Sequence, residues 1–228
     1  MPFALSNSKS PITEAYRTIR TNLQFASVAN NIRLILITSS VPSEGKTSTA
    51  CNLAVVSAQA GKRVLLIDAD LRKPQMHRWF QASNIYGLSN LIIKEKNIVD
   101  CVITSDVPNL DLLTSGPVPP NPSEMLASKS FFELMEGIRN SYDLVILDAP
   151  PVLSVADALI LTPFSDGIVF IVDSASTSRI LAKKAVQALQ QVGGNILGVV
   201  LNKIKRNSKE SYYYYNYYGS VSNSKVDV

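Results

Sequence analysis

A short β-branched run, RLILITS, leads straight into SVPSEGKTSTACNLA, and this stretch restricts the fold more than any other. Its order is strand, tight loop, helix. Such an order aims the loop's backbone N–H groups and the positive end of the helix at one point, which suits a phosphate group. Lys46 is placed to reach the β- and γ-phosphates of a nucleotide, and Thr47 to give its hydroxyl to Mg2+. Ser43, Glu44, Gly45 and Ser48 complete the cradle. The loop departs from G-x-x-x-x-G-K-[ST] at its first position, where Ser40 replaces glycine.

From Arg33 onward, apolar runs of strand length alternate with amphipathic stretches of helical length. That alternation predicts an α/β fold of the P-loop NTPase kind, a mostly parallel, doubly wound sheet flanked by helices. Strands are expected at RLILITS, RVLLID, LDLLTS, DLVILD, GIVFIVD and ILGVVLN. Helices are expected over SPITEAYRTIRTNLQFAS, from Lys46 to Ala60 before Gly61, from Ser123 to Asn140, from Val155 to Thr162, and from Ser178 to Val192 before Gly193. The prolines of GPVPPNPSEML set a rigid loop, with Ser123 expected to cap the helix that follows. The 228 residues suffice for one core, assigned to residues 1–206, with residues 207–228 as a flexible tail rich in Ser, Asn, Lys and Tyr.

Two further acidic motifs end apolar strands: VLLIDADLR, with Asp68 and Asp70, and DLVILDAPP, with Asp148. One aspartate after a strand is usually a turn or helix cap. Three of them, at the sheet edge where open α/β folds bind ligands and behind a phosphate loop, point to metal–nucleotide chemistry. They can divide the holding of Mg2+ and the orientation or deprotonation of a nucleophile.

Composition excludes several classes. Hydrophobic residues make up 46% and charged residues 18%, as in globular proteins, and no apolar run approaches the roughly 20 residues that span a bilayer. MPFALSNSKS does not read as a secretory signal, so a cytoplasmic location is expected. Cys51 and Cys101 lie in apolar sequence and read as buried thiols. His77, the only histidine, is expected to pack a short helix with Met76, Trp79 and Phe80 rather than bind metal. A net charge of +4 is weak evidence for a polyanion, and no nucleic-acid partner is expected.

With these motifs in view, the sequence resembles the bacterial tyrosine kinases of the Gram-positive capsular and exopolysaccharide type, over essentially its whole length. The resemblance rests on SVPSEGKTS as the Walker A loop, VLLIDADLRKP as Walker A′ and LVILDAPP as Walker B. EAYRTIR, TSGPVPPNPSEML and the terminal YYYYNYY extend it. It implies an ATP-dependent protein-tyrosine autokinase using ATP and Mg2+. Carried over, Lys46 binds phosphate, Thr47 is a magnesium ligand, and Asp68 is the base toward the incoming phenol. Asp70 and Asp148 hold the metal and its waters, and Arg72 steadies phosphate charge or bridges subunits. Asn202 falls where relatives of this ATPase group contact adenine. Ser43 stands where many relatives have glycine; if that position needs φ > 0, serine costs roughly 1 kcal/mol.

Glu14, Arg17 and Arg20 fall three apart, so a helix lines them up as one charged ridge. By resemblance this helix joins subunits into a ring, an octamer. The terminal tyrosines Tyr212, Tyr213, Tyr214, Tyr215, Tyr217 and Tyr218 are then the phosphoacceptors, modified in trans. The resemblance also implies docking on the cytoplasmic tail of a transmembrane activator, at the inner face of the membrane, and reversal by a tyrosine phosphatase. The alternative is a ParA/MinD-like ATPase switch. Those proteins carry an extra lysine near the position of Ser40 or Val41, which is absent here, and no tyrosine tail is expected of them.

Overall fold

Every residue of β1 (Leu34–Ser39) is buried, as a strand must be when helices cover both faces of a parallel sheet. Its side chains alternate between two cores. Leu34 and Leu36 join one that contains Phe131, Ile138 and Leu189, whereas Ile35 and Ile37 join another with Tyr16, Leu53 and Met76. The computed structural model describes residues 1–204. The six tyrosines expected as acceptors and the expected boundary at residue 206 lie outside the described residues.

Two helices, α1 (Phe3–Ser6) and α2 (Pro11–Asn30), precede β1. Then come α3 (Lys46–Ala58), β2 (Val64–Asp68), α4 (Met76–Phe80), α5 (Leu88–Ile92), α6 (Ile98–Cys101), β3 (Val102–Thr104) and β4 (Leu110–Leu113). The remainder is α7 (Pro122–Leu126), α8 (Lys129–Arg139), β5 (Leu144–Asp148), α9 (Asp157–Leu161), β6 (Gly167–Asp173), α10 (Arg179–Gln191) and β7 (Ile196–Asn202). The seven-stranded sheet has the order β3-β4-β2-β5-β1-β6-β7. Only the β3–β4 pair is antiparallel. The chain leaves β1 toward β2 on one side and crosses from β5 to β6 on the other. Strand order therefore reverses around β1, and its carboxyl end is where a ligand site is expected.

Most elements fall where the sequence pattern puts them; the short helices α1, α5 and α6 had no expected counterpart, and other elements differ as follows. The helix expected from Ser123 to Asn140 is two helices, because the Ser128 hydroxyl caps α8 by accepting the Phe131 N–H at 3.2 Å. Ser123 is not a cap: it lies inside α7 and its hydroxyl donates to Asp157 Oδ1 at 2.5 Å. The helix expected from Val155 covers only Asp157–Leu161, followed by a 3-10 turn, Thr162–Phe164, that contains Pro163. The edge strand β3 had no counterpart in the pattern.

Gly61 at φ +88° and Gly193 at φ +81° stand just beyond the ends of α3 and α10, in the left-handed region a chain uses to leave a helix. Cys51 and Cys101 are free and buried. His77 lies in α4, where burial lowers its pKa, with Trp79 and Phe80 packed on the α3-side core. Among the described residues no helix is long and apolar enough to cross a membrane.

Candidate active site

The phosphate loop is shaped by two left-handed residues. Gly45 has φ +96°, and a Cβ there would stand 2.0 Å from Asn202 Nδ2. Ser43 has φ +68°, the conformation in which a serine is strained and glycine is not. The following main chain turns directly into α3, where Thr49 N–H donates to Gly45 O at 2.9 Å.

Glu44 is buried and faces the protein. Its Oε2 accepts the Val41 N–H at 2.8 Å, and its Oε1 accepts the Asp173 N–H and the Thr177 hydroxyl. The loop is also held from β7. Asn202 Nδ2 donates to Glu44 O at 2.9 Å, and Lys203 Nζ donates to Ser43 O at 2.6 Å and to Asp173 Oδ2 at 2.8 Å. The hydrogen bond from Lys203 holds the Asp173 carboxyl down at about 2.

Strand register sets the carboxylates. Asp68 and Asp148 are direct partners across the β2–β5 pair, so their Cα atoms are neighbours at the interstrand spacing of about 4.8 Å. Asp68 is fully buried, and its oxygens accept N–H groups from Asp70, Gln75 and Met76 at 3.3, 3.1 and 3.0 Å. Burial and the charge of Asp148 both push the Asp68 carboxyl well above the ordinary carboxylate range. Burial likewise raises Asp148, partly offset by Lys46. The Thr47 hydroxyl lies near enough to lower it slightly as well, but among the described residues no donor reaches either Asp148 oxygen in good hydrogen-bond geometry.

Lys46 stands between Asp70 and Asp148. Its ammonium donates to Asp70 Oδ2 at 3.0 Å and lies 3.9 Å from Asp148 Oδ1. Burial alone would lower its pKa, but Asp148 and Asp70 outweigh burial and hold it above the usual lysine value. Asp70 is further fixed by the Lys73 N–H at 3.0 Å.

A cleft of about 630 Å³ opens over these groups, with Lys46, Thr47 and Asp70 in its floor and Arg72, Trp79 and Pro151 among its walls. Arg72 is anchored by the fully buried Asp157, to which Nε and Nη2 donate at 2.8 and 3.1 Å. Its Nη2 also donates to Ser123 at 2.8 Å. Asp157 drew no attention in the sequence because an aspartate opening a helix reads as an ordinary first-turn residue. Asn202 reaches the loop's main chain from behind. On α2, Glu14 and Arg17 form an ion pair, while Arg20 turns inward to donate to Val56 O at 3.0 Å. The expected charged ridge is thus shorter than the spacing implied.

A buried Asp148 that accepts no hydrogen bond, with the Thr47 hydroxyl nearby, has the donor chemistry that a divalent ion would need. Among the described residues no three His, Cys, Asp or Glu side chains form a self-contained metal cage. A Mg2+ ion here would share its shell with phosphate and water, which is its usual habit.

Such a loop at the head of a parallel sheet, with strand-end carboxylates around its lysine, defines a nucleotide-binding P-loop protein. In agreement, a family model described as an AAA domain matches residues 32–197. Within that class the chain belongs to the bacterial tyrosine-protein kinases. It is 48% identical to tyrosine-protein kinase YwqD of Bacillus subtilis, over 96% of this chain and 92% of that protein. The putative tyrosine-protein kinase CapB of Staphylococcus aureus is 42% identical, with 91% of each chain covered.

Among solved structures, the chimerical protein CapA2B2 superposes with a TM-score of 0.87 at 40% identity, over 90% of both chains. The kinase domain of Escherichia coli tyrosine kinase ETK gives 0.87 at 36% identity, over 91% of this chain and 82% of that one. MinD of Pyrococcus horikoshii, complexed with Mg-ADP, gives 0.65 at 21% identity over 78% of this chain and 72% of that one, a likeness of fold.

Proposed function

We propose that the chain is an ATP-dependent protein-tyrosine autokinase whose acceptors are Tyr212, Tyr213, Tyr214, Tyr215, Tyr217 and Tyr218, and that it controls capsular or exopolysaccharide synthesis and export. The observation that carries this reading is the buried Asp148, which accepts no hydrogen bond and has only the Lys46 ammonium at 3.9 Å for a charge partner, set with Asp70 beneath an open cleft. A buried carboxylate placed for structure alone would have its oxygens hydrogen-bonded. Lys46 and the N–H groups at the start of α3 bind the β- and γ-phosphates. Thr47, Asp70 and Asp148 would hold Mg2+, whose charge neutralises the transferred phosphoryl group and its leaving oxygen. Asp68 would receive the phenolic proton in its ionised form, which a cation bound beside Asp148 would favour by offsetting the charge that raises its pKa. Since Asp68 is fully buried, acceptor binding has to open a path to it, and an unchanged rate in Asp68→Asn would remove it from that role. Ser43, Glu44, Gly45 and Ser48 shape the loop, and Arg72 supplies positive charge at the cleft wall.

Assembly through Glu14, Arg17 and Arg20 into a ring would present each tail to a neighbouring site at high effective concentration, which favours transfer in trans. A transmembrane activator would hold the ring at the inner membrane face, and a tyrosine phosphatase would reset it. The match to tyrosine-protein kinase wzc of Salmonella typhimurium, 37% identical, spans 94% of this chain but 30% of that protein. This supports a partner chain that supplies what the longer relative carries itself.

Intact-mass spectrometry of the full chain after incubation with Mg-ATP tests the proposal, alongside Lys46→Met and a chain truncated before Tyr212. A ladder of added phosphates in the full chain alone is expected. Label should also pass from an active, truncated chain to a Lys46→Met chain with an intact tail. ATP hydrolysis without phosphotyrosine would refute the kinase reading in favour of an ATPase switch.

A further inference from the structure

Ser43 carries a conformational cost at the point where the loop must be most exact. A left-handed conformation disfavours an L-residue by a factor of roughly 5 to 30, and such strain persists only where the surroundings over-determine it. Two consecutive residues at the end of β7 do so here. Asn202 holds the Glu44 carbonyl at 2.9 Å, and the Lys203 ammonium holds the Ser43 carbonyl at 2.6 Å. Asp173 orients that ammonium through a second contact at 2.8 Å. Lys203 is itself left-handed, at φ +57°, and it is not among the residues that line the cleft.

We infer that Lys203 is a positioning residue for the phosphate loop: by bonding the Ser43 carbonyl, it keeps Ser43 in the left-handed conformation that nucleotide binding requires. The inference rests on nucleotide binding at this loop and is independent of which group receives the phosphate. Lysine at this place looks, in sequence, like one more charge of a basic tail. In the fold it compensates for the missing glycine at position 43. A glycine there would adopt the same φ without help, so the lysine matters because of the serine.

That dependence gives the test. Affinity for a fluorescent ATP analogue, mant-ATP with Mg2+, is measured for the full chain and for Lys203→Met, Ser43→Gly and the double variant. Lys203→Met is expected to weaken binding about tenfold, the share of the left-handed population that the bond maintains. Adding Ser43→Gly should recover most of that loss, and Lys203→Arg, which keeps a cationic donor, should stay within about threefold of the starting chain. The Lys203 side chain is 48% exposed, so the methionine variant should fold, and thermal unfolding without nucleotide checks this for each variant. Unchanged affinity in Lys203→Met would overturn the inference. So would a loss that Ser43→Gly fails to relieve, because a direct charge contact with nucleotide would be indifferent to the serine. A chain that binds mant-ATP but never phosphorylates tyrosine would refute the kinase reading and leave this result standing.

Discussion

The pair Arg72–Asp157 allows a quantitative test of how the cleft wall is held. Asp157 is fully buried and its carboxylate receives Arg72 Nε at 2.8 Å, Arg72 Nη2 at 3.1 Å and the Ser123 hydroxyl at 2.5 Å. Removing the guanidinium by Arg72→Ala leaves a buried charge with one hydroxyl donor. Fully buried pairs lose about 3–5 kcal/mol in that situation. Here the arginine side chain is 36% exposed, so water screens part of the interaction and about 2 kcal/mol is the better figure. Asp157→Asn keeps the shape but loses the charge, and should cost about 1.5 kcal/mol.

The double variant removes the stranded charge along with its partner, so the two losses do not add. A coupling of about 1.5 kcal/mol is expected, against the 0.3–0.5 kcal/mol of independent sites. In a chain of this size each kcal/mol moves Tm by about 2–4 °C. Arg72→Ala should therefore melt about 4–8 °C lower without nucleotide, and the double variant at nearly the same temperature as Arg72→Ala alone. Scanning calorimetry on the four proteins measures the cycle. Additivity within 0.5 kcal/mol would refute the claim that Asp157 is the anchor of Arg72.

Asp148→Asn discharges a buried carboxylate that accepts no hydrogen bond but also removes the charge that most favours protonated Lys46, so the two effects offset and the Tm of the nucleotide-free protein is expected to stay within about 2–4 °C of the parent value, while Mg2+-dependent nucleotide binding is abolished; retained Mg2+-dependent binding would contradict the metal-holding role. Tyr142 donates to Asp111 at 2.9 Å, and burial together with this bond pushes its phenol up to about 12. In an alkaline titration followed by tyrosinate absorbance, the step that Tyr142→Phe removes should lie near pH 12, and Asp111→Asn should bring it back toward the ordinary value of about 10. Because the folded pKa lies above the unfolded one, the contribution is fully present below about pH 10 and is lost as pH rises toward 12.

The central strands were legible because burial on both faces writes them as unbroken apolar runs, LILITS and LVILD among them. The three residues of β3, only partly buried, are too short to show any period. The break between α7 and α8 depends on a single hydroxyl of Ser128, hidden in a stretch whose periodicity suits one helix. At the site, Lys46, Asp68, Asp70 and Asp148 could be named from strand ends and loop chemistry. Their arrangement could not, because the register Asp68↔Asp148 follows from β5 inserting between β1 and β2. Asp157 meets Arg72 across 85 residues of chain, and Lys203 meets Ser43 across 160. Neither partner carries a local signal of the other.

The site is therefore built from features that oppose folding. Two buried carboxylates stand at adjacent strand positions, one of them accepting no hydrogen bond, and a serine is held left-handed in the loop above. Lys46 offsets part of the repulsion, but it is shared with Asp70. The two apolar cores on either face of the sheet supply the stability that tolerates this arrangement. A bound cation would turn Asp148 from a cost into a ligand, so nucleotide with Mg2+ should stabilise the chain beyond the cation-free nucleotide. By mass action a ligand at 100 times its Kd adds about 2.7 kcal/mol over the free chain, and at equal concentration the tighter Mg2+ complex adds more. Comparable strain would serve no purpose in a scaffold. In this fold Asp68 and Asp148 end β2 and β5, and Ser43 follows β1, so these costs meet where the reversal of strand order leaves room for the nucleotide.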